Sequence, residues 1–301
     1  MKNIVAILGA GLIGRGWARL AVEACCDVRL FDRAPERVAE AQAWLATELP
    51  EELLRSVQAC ATLEEALAGA THAQECAVED LALKRDLLGR VDAISEPGCT
   101  IASSTSALLP AAIFEGFAGG DRCLVAHPAS PPHLLPVVEI VPGPQTSDAA
   151  VSQVTALMER MGQEVIRLKQ AAPGLVLNRL QAALVEEALA LVEDGIATPD
   201  GVDLAVRSGI GMRWAFAGPF EVMDLNAANG FADYVRTLGP ALAASAPCGA
   251  ASSRWHGHGP DRVAEARREL LPLCELPARQ AWLADRLTSL RALKCASEFT
   301  N

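Results

Sequence analysis

The chain alternates short, unbroken apolar runs with stretches in which apolar residues return every three or four positions. Ile4-Val5-Ala6-Ile7-Leu8, closed by Gly9, is the first such run. An unbroken run of this length predicts a strand covered on both faces. A helix is predicted from Leu12 to about Ala24, and Val28-Arg29-Leu30-Phe31 predicts a second strand ending at Asp32. Pro35 can open the next helix at its first turn. Residues 71–78, 100–103 and 124–126 predict further strands, with a helix over 81–91 between the first two. Residues 137–141 and 164–168 extend the series, separated by a helix over 149–161. Strands alternating with helices imply parallel crossover units and an α/β, doubly wound, mostly parallel sheet.

The pattern changes after Leu168. Pro173-Gly174 precedes one long predicted helix over 175–192, and Thr198-Pro199 fits a helix cap and first helical position. Only helices are predicted from there on. The stretch 239–260, rich in Ala, Gly, Ser and Pro, reads as an irregular connection. The final pattern, 277–294, carries Trp282, Leu283, Leu287, Leu290 and Leu293 at helical spacing. The expected division is an α/β domain over 1–170 and an all-α domain over 171–301, a number of domains that suits 301 residues. The final helix carries more apolar surface than a small helical domain can bury alone, which predicts a homodimer built through that half.

Composition narrows the function. Half of the residues (51%) are apolar, which excludes a wholly disordered chain. The net charge of −11 argues against nucleic acid or an anionic membrane as partner. Lysine occurs only at Lys2, Lys84, Lys169 and Lys294, so no lysine-rich patch exists to grip a polyphosphate. The nine cysteines form no C-x-x-C pair, as expected of reduced thiols in a cytosolic protein. The apolar run near Met1 resembles a signal peptide, but Arg15 and Arg19 follow at once and the run is too short to span a bilayer. A soluble, cytoplasmic protein is expected.

Gly9-Ala10-Gly11-Leu12-Ile13-Gly14 matches G-x-G-x-x-G. Alone, such a motif is often a bare strand-to-helix turn. Here a strand precedes it, a helix follows it, and the acidic Asp32 ends the next strand 18 positions after Gly14. Gly9 allows the tight turn, Gly11 admits a pyrophosphate to the backbone, and Gly14 lets helix and strand pack closely. The free amides of Leu12, Ile13 and Gly14 at the helix start suit phosphate oxygens. This is the dinucleotide site of a Rossmann fold. A carboxylate at Asp32 accepts ribose hydroxyls and repels a 2′-phosphate, so the expected cofactor is NAD rather than NADP. Arg33 beside it reads either as a hedge on that choice or as a solvated surface charge.

Five further segments read together: Ser103-Ser104-Thr105-Ser106 after a predicted strand, His127-Pro128-Ala129-Ser130-Pro131-Pro132 at the end of another, Pro136-Val137-Val138-Glu139, Leu177-Asn178-Arg179-Leu180-Gln181, and Gly211-Met212-Arg213-Trp214-Ala215-Phe216-Ala217-Gly218-Pro219. With Gln74-Glu75-Cys76 and Glu79-Asp80-Leu81, they carry a resemblance to the L-3-hydroxyacyl-CoA dehydrogenase family, closest to its lambda-crystallin / L-gulonate 3-dehydrogenase branch. It runs from Lys2 to about Asn226 and returns near Arg279 to Lys294.

The resemblance implies NAD-dependent oxidation of a 3-hydroxyl, with His127 as the general base. An imidazole, with an ordinary pKa of about 6.5, suits that task. Glu139 would fix its tautomer and stabilise the imidazolium. Ser106 and Asn178 would hydrogen-bond the reacting oxygen, and Glu79 and Lys84 would line the cofactor side near the nicotinamide ribose. Each residue alone has a plainer reading, Ser106 and Asn178 as helix caps and His127 as a structural histidine. Arg213, in an apolar segment, reads equally as a fork for a substrate carboxylate or as the partner of Asp224 or Glu221.

Departures from the family bear on the substrate. Acyl-CoA members carry a long, basic helical hairpin after the second strand. Here only 47 positions separate Asp32 from Glu79, and Arg55 is the one base between Arg37 and His72. A CoA grip is therefore not expected, and a small free hydroxy acid is. A 3-hydroxyacyl-CoA and a carnitine-type acid are the alternatives. For the latter, Trp214, Phe216 and Phe220 are candidate walls of an aromatic cage. Ser130 stands where the family usually has asparagine, and Leu175 where an aromatic is usual. Residues 237–262 match nothing in the family pattern.

Overall fold

The computed structural model describes residues 3–245 and 258–296. They divide into two compact units, Met1–Ala182 and Ala183–Asn301. In the first, strands β1 (Ile4–Leu8), β2 (Asp27–Phe31), β3 (Val57–Ala59), β4 (His72–Glu75), β5 (Thr100–Ser103), β6 (Cys123–Pro128), β7 (Val137–Pro142) and β8 (Glu164–Arg167) form one sheet in the order β3-β2-β1-β4-β5-β6-β7-β8. Neighbours are parallel except β6 and β7. The chain runs outward from β1 to β3 and then returns to β4 on the other side of β1. A crevice therefore opens beyond the carboxyl ends of β1 and β4, where such sheets bind ligands.

The unbroken apolar run of β1 is explained by its two covered faces. Val5 and Ile7 pack into one cluster with Trp17, Ala18 and Ala21 of helix α1 (Leu12–Glu23), whereas Ala6 and Leu8 pack into another with Leu63, Leu67 and Leu88. Each large side chain buried in this way contributes about 1.5–3 kcal/mol. Helices α2 (Pro35–Glu48), α3 (Glu51–Leu54), α4 (Leu63–Leu67), α5 (Leu81–Ile94), α6 (Pro110–Phe114) and α7 (Asp148–Arg160) complete the unit. Pro35 and Pro110 each stand at a helix start, and Asp80 and Ser147 cap α5 and α7 through their side chains.

Several expectations are corrected. The strand over 71–78 ends at Glu75, because the Ala77 amide turns back onto the Glu75 carboxylate. β3, only three residues long and too short to show a period, was not anticipated. The long helix α8 (Leu177–Glu193) starts two residues later than expected. Gly174 (φ +75°) and Leu175 (φ +51°) are left-handed there and cannot begin a right-handed helix.

Within the second unit, α9 (Pro199–Ala205), a π turn (Val206–Ile210), α10 (Gly211–Trp214), α11 (Pro219–Leu225), α12 (Phe231–Ser245), α13 (Gly259–Leu270) and α14 (Leu276–Ala296) follow. Thr198 caps α9 by accepting from the Gly201 amide. The described ends of the expected irregular stretch 239–260 are helical: α12 runs through Pro240 to Ser245 and α13 begins at Gly259. Pro240 removes one helical hydrogen bond, but Ala241, Ala243 and Ala244 are strong helix formers. Residues 246–257 lie outside the described residues. No helix among the described residues is long and apolar enough to cross a membrane.

Candidate active site

β6 and β7 are antiparallel, and their register sets His127 directly opposite Glu139. The twelve-residue separation is thus a hairpin geometry that points two side chains to the same face of the sheet. His127 Nδ1 lies 2.7 Å from Glu139 Oε2, and both residues are buried. Since an ionised carboxylate can only accept, Nδ1 carries a proton, and the neutral tautomer this favours is the one with its lone pair on Nε2. Glu139 Oε1 accepts from the backbone amides of Val176 (2.7 Å) and Leu177 (3.2 Å) at the start of α8. Burial by itself raises the Glu139 pKa. The hydrogen bonds from His127, Val176 and Leu177 outweigh it and hold the carboxyl below its ordinary value. A carboxylate that stays ionised beside an imidazole is the orienting half of a general-base pair.

Asn178, the next residue of α8, donates from Nδ2 to the backbone carbonyl of Ser106 (3.0 Å). The expected pair Ser106 and Asn178 is therefore brought together, with the Ser106 hydroxyl on an exposed residue. Glu79 Oε1 accepts from the Ser106 and Ala107 amides at 3.1 and 3.0 Å and from the Thr105 hydroxyl. Its pKa is raised by burial but, on balance, lowered by Thr105, the Ala107 amide and Lys84. Lys84, expected along the cofactor side, has its ammonium inside the fold. It donates to Glu75 Oε1 (2.8 Å) and Oε2 (3.0 Å) and to the Ala77 carbonyl (3.2 Å), and only 1% of its side chain is exposed. Glu79 Oε2 lies 3.5 Å from the same ammonium.

The nucleotide crevice fits the expected cofactor. A Cβ on Gly9 (φ +107°) would lie 2.7 Å from the Cys76 carbonyl, and one on Gly14 would lie 1.8 Å from the Gly9 carbonyl oxygen. Only glycine is tolerated at either position. A Cβ on Gly11 would meet nothing within 4 Å, so the backbone there lies open to a ligand. The start of α1 has no side-chain cap and no acidic residue in its first turn, and Leu12 is half exposed. Its free amides suit phosphate oxygens. Asp32 stands at the end of β2, held by the Ala10 amide (2.9 Å) and the Ala34 amide (3.0 Å). Gly9, Gly11 and Asp32 line a cleft of about 510 Å³ together with Arg33, Cys76 and Ala77.

In the second unit, Arg213 is exposed and makes no ion pair among the described residues. Neither anticipated partner serves it. Glu221 pairs with Arg279 (2.8 Å) and Arg267 (3.5 Å). Asp224, fully buried, pairs with Arg267 and Arg268 and accepts from the Phe231 amide. The candidate aromatic walls find other companions: Phe216 stands edge-on to Trp282 and Phe220 to Phe231. The Arg279 guanidinium already covers the Trp282 ring at 3.9 Å.

Two residues escaped assignment from sequence. Glu75 is fully buried, and Thr105 has its hydroxyl on Glu79. The signal for Glu75 was present: an acid inside a predicted strand, nine positions before one of four lysines.

Comparison with known proteins agrees with this geometry. Residues 4–171 match the NAD binding domain of 3-hydroxyacyl-CoA dehydrogenase, and residues 174–253 match its C-terminal domain. The chain belongs to the 3-hydroxyacyl-CoA dehydrogenase family and is an NAD-dependent oxidoreductase acting on a CH–OH group. A lambda-crystallin homolog from Bos taurus is 39% identical over 306 residues, covering 96% of this chain and 95% of that protein. An L-carnitine dehydrogenase from Pseudomonas aeruginosa is 40% identical over 250 residues, covering 79% and 77%. The solved structure of a 3-hydroxyacyl-CoA dehydrogenase from Archaeoglobus fulgidus superposes with a TM-score of 0.75 at 25% identity, covering 97% of this chain and 98% of that one.

Proposed function

We propose that the chain oxidises the 3-hydroxyl of a small, free hydroxy acid of the L-gulonate type to the corresponding 3-keto acid. Bound NAD supplies the hydride acceptor, held by the Gly9–Gly14 turn, the α1 amides and Asp32. His127 takes the hydroxyl proton on Nε2, while Nδ1–H remains on Glu139 and the carboxylate stabilises the imidazolium. Ser106 and Asn178 hydrogen-bond the reacting oxygen and fix the carbon that loses hydride. Arg213 receives the substrate carboxylate as a fork. The observation that carries this reading is the His127–Glu139 pair at 2.7 Å.

The choice of a free acid over a CoA ester rests on the chain after β2. The fourteen-residue α2 is followed only by four-residue α3 and three-residue β3, too little for a second hairpin arm. A carnitine-type substrate is favoured by the likeness to L-carnitine dehydrogenases. Against it, Trp214, Phe216 and Phe220 form no ring pairs with one another. The experiment is a comparison of kcat/KM for L-gulonate, L-carnitine, 3-hydroxybutyrate and 3-hydroxybutyryl-CoA. A preference for the CoA ester refutes the free-acid reading, and a preference for carnitine moves it to the quaternary ammonium. Replacing His127→Gln should abolish turnover and leave NADH binding intact; retained turnover removes His127 as the base.

The helical half, taken as residues 171–301, is proposed to bind substrate and to form a homodimer. No residue of α8 is buried, and Leu189, Ile196 and Leu270 are 62%, 69% and 75% exposed. Such apolar surface is covered by association in most soluble proteins. A monomeric mass by light scattering would refute it.

A further inference from the structure

We propose that Glu75, Lys84, Glu79 and Thr105 form a polar brace that positions the serine turn, which makes Thr105 and Glu75 positioning residues for the reaction. The inference rests on the assignment of Ser106 and Asn178 to the substrate oxygen, and gives Glu79 the support of that turn besides its expected place along the cofactor side.

After β5 the Ser104 amide still donates to the Glu75 carbonyl (2.8 Å), and the chain then leaves the sheet. Thr105 N–H donates to Ser103 Oγ (3.2 Å), Ser106 N–H and Ala107 N–H to Glu79 Oε1, and Leu108 N–H to Thr105 Oγ1 (3.0 Å). Four successive amides are thus held by side-chain oxygens, and the shape of the turn depends on where those oxygens sit. Glu79 Oε1 takes three donors at once: the two amides and the Thr105 hydroxyl. Its second oxygen faces the Lys84 ammonium, which Glu75 grips through both carboxylate oxygens. Glu75 also accepts from Ser103 Oγ, so the same buried carboxylate anchors the turn at its start and, through Lys84 and Glu79, at its middle. The turn then presents the Ser106 carbonyl to Asn178. The Thr105 hydroxyl is a neutral link in this path between Glu79 and the Leu108 amide, and can be removed with little change in volume.

The test uses the full chain with Thr105→Val, Thr105→Ser and Glu75→Gln, each checked for a cooperative melt. The readouts are kcat, KM for NAD⁺ and NADH affinity by fluorescence, with whichever of L-gulonate, L-carnitine, 3-hydroxybutyrate and 3-hydroxybutyryl-CoA the wild type oxidises. Amide exchange over residues 104–109 is followed without substrate. Misplacement of a positioning group by about 1 Å costs on the order of 100-fold. Thr105→Val should therefore lower kcat about tenfold or more, with KM for NAD⁺ and NADH affinity within about twofold, and Thr105→Ser should restore most of it. Exchange in the turn should quicken in Thr105→Val and Glu75→Gln. Unchanged kcat in Thr105→Val overturns the proposal, as does a loss carried wholly by cofactor affinity. If the wild type oxidises none of the four compounds, the proposed substrate fails instead. The brace is then judged by exchange alone, and unaltered exchange overturns it.

Discussion

Glu139→Gln isolates the step on which the proposed chemistry turns. The side chain is fully buried and divides its acceptors, Oε1 to the amides of Val176 and Leu177 and Oε2 to His127 Nδ1. Glutamine has the same shape but only one oxygen. If that oxygen stays on the α8 amides, the new NH₂ faces Nδ1 and forces the proton onto Nε2, where a base needs its lone pair. If it turns to His127, the NH₂ confronts the Val176 and Leu177 donors. A hydrogen bond to a charged group contributes about 1.5–3 kcal/mol. Its loss as the imidazolium forms is worth about 10- to 150-fold in rate. The tautomer error adds to this, and in a hydrolase triad the same change of carboxylate to amide costs about 10,000-fold. The expected fall in kcat is thus at least about 100-fold, with NADH binding unchanged because the proposed nucleotide contacts lie at the ends of β1 and β2 and the start of α1. Steady-state rates at saturating NAD⁺ and fluorescence titration with NADH measure the two. A variant that keeps more than a tenth of wild-type kcat refutes the orienting role.

Stability carries further tests. Gly14→Ala puts a methyl 1.8 Å from the Gly9 carbonyl oxygen and should abolish NADH binding or prevent soluble expression; normal NADH affinity would show that the turn can open. Lys84→Met leaves the buried Glu75 carboxylate without its cation, so chemical denaturation should show a loss of about 3–5 kcal/mol, reduced when Glu75→Gln is added. His72 is buried between Thr100 and Gln74, and burial pushes its pKa down from 6.5 to about 4. The folded state therefore resists a proton that the unfolded chain accepts. His72 contributes its full stability above pH 6.5 and loses it as pH falls towards 4, a decline of about 3 kcal/mol at one 1.36 kcal/mol step per unit. Denaturation of His72→Gln at pH 7 and pH 4.5 should show a shallower decline than wild type; parallel declines would refute it.

How far the chain could be read in advance follows from the range of the forces involved. The β1 run, the three glycines and Asp32 are local signals, since a strand covered on both faces and a turn without room for a Cβ each fix residue type over a few positions. The His127–Glu139 pair was legible because an antiparallel hairpin converts a twelve-residue spacing into one contact. β3 was not legible, since its three residues are held by pairing with β2 and carry no pattern of their own. Pro240 and its glycine neighbour masked a helix because punctuation outweighed the alanines around it in a local reading. Lys84 shows the limit of local signals. The resemblance sets it along the cofactor side, and only the fold reveals that β4 sets Glu75 against its ammonium. A buried carboxylate and ammonium are each costly to desolvate, and neither residue states in sequence that the other is present. Arg213 carries the same lesson towards function. The two acids anticipated as its partners, Glu221 and Asp224, are claimed by arginines 43 to 58 positions away. Pairing within the fold has thus used both of the anticipated partners of Arg213, and an arginine left exposed in an apolar segment is available to an anion from outside the chain.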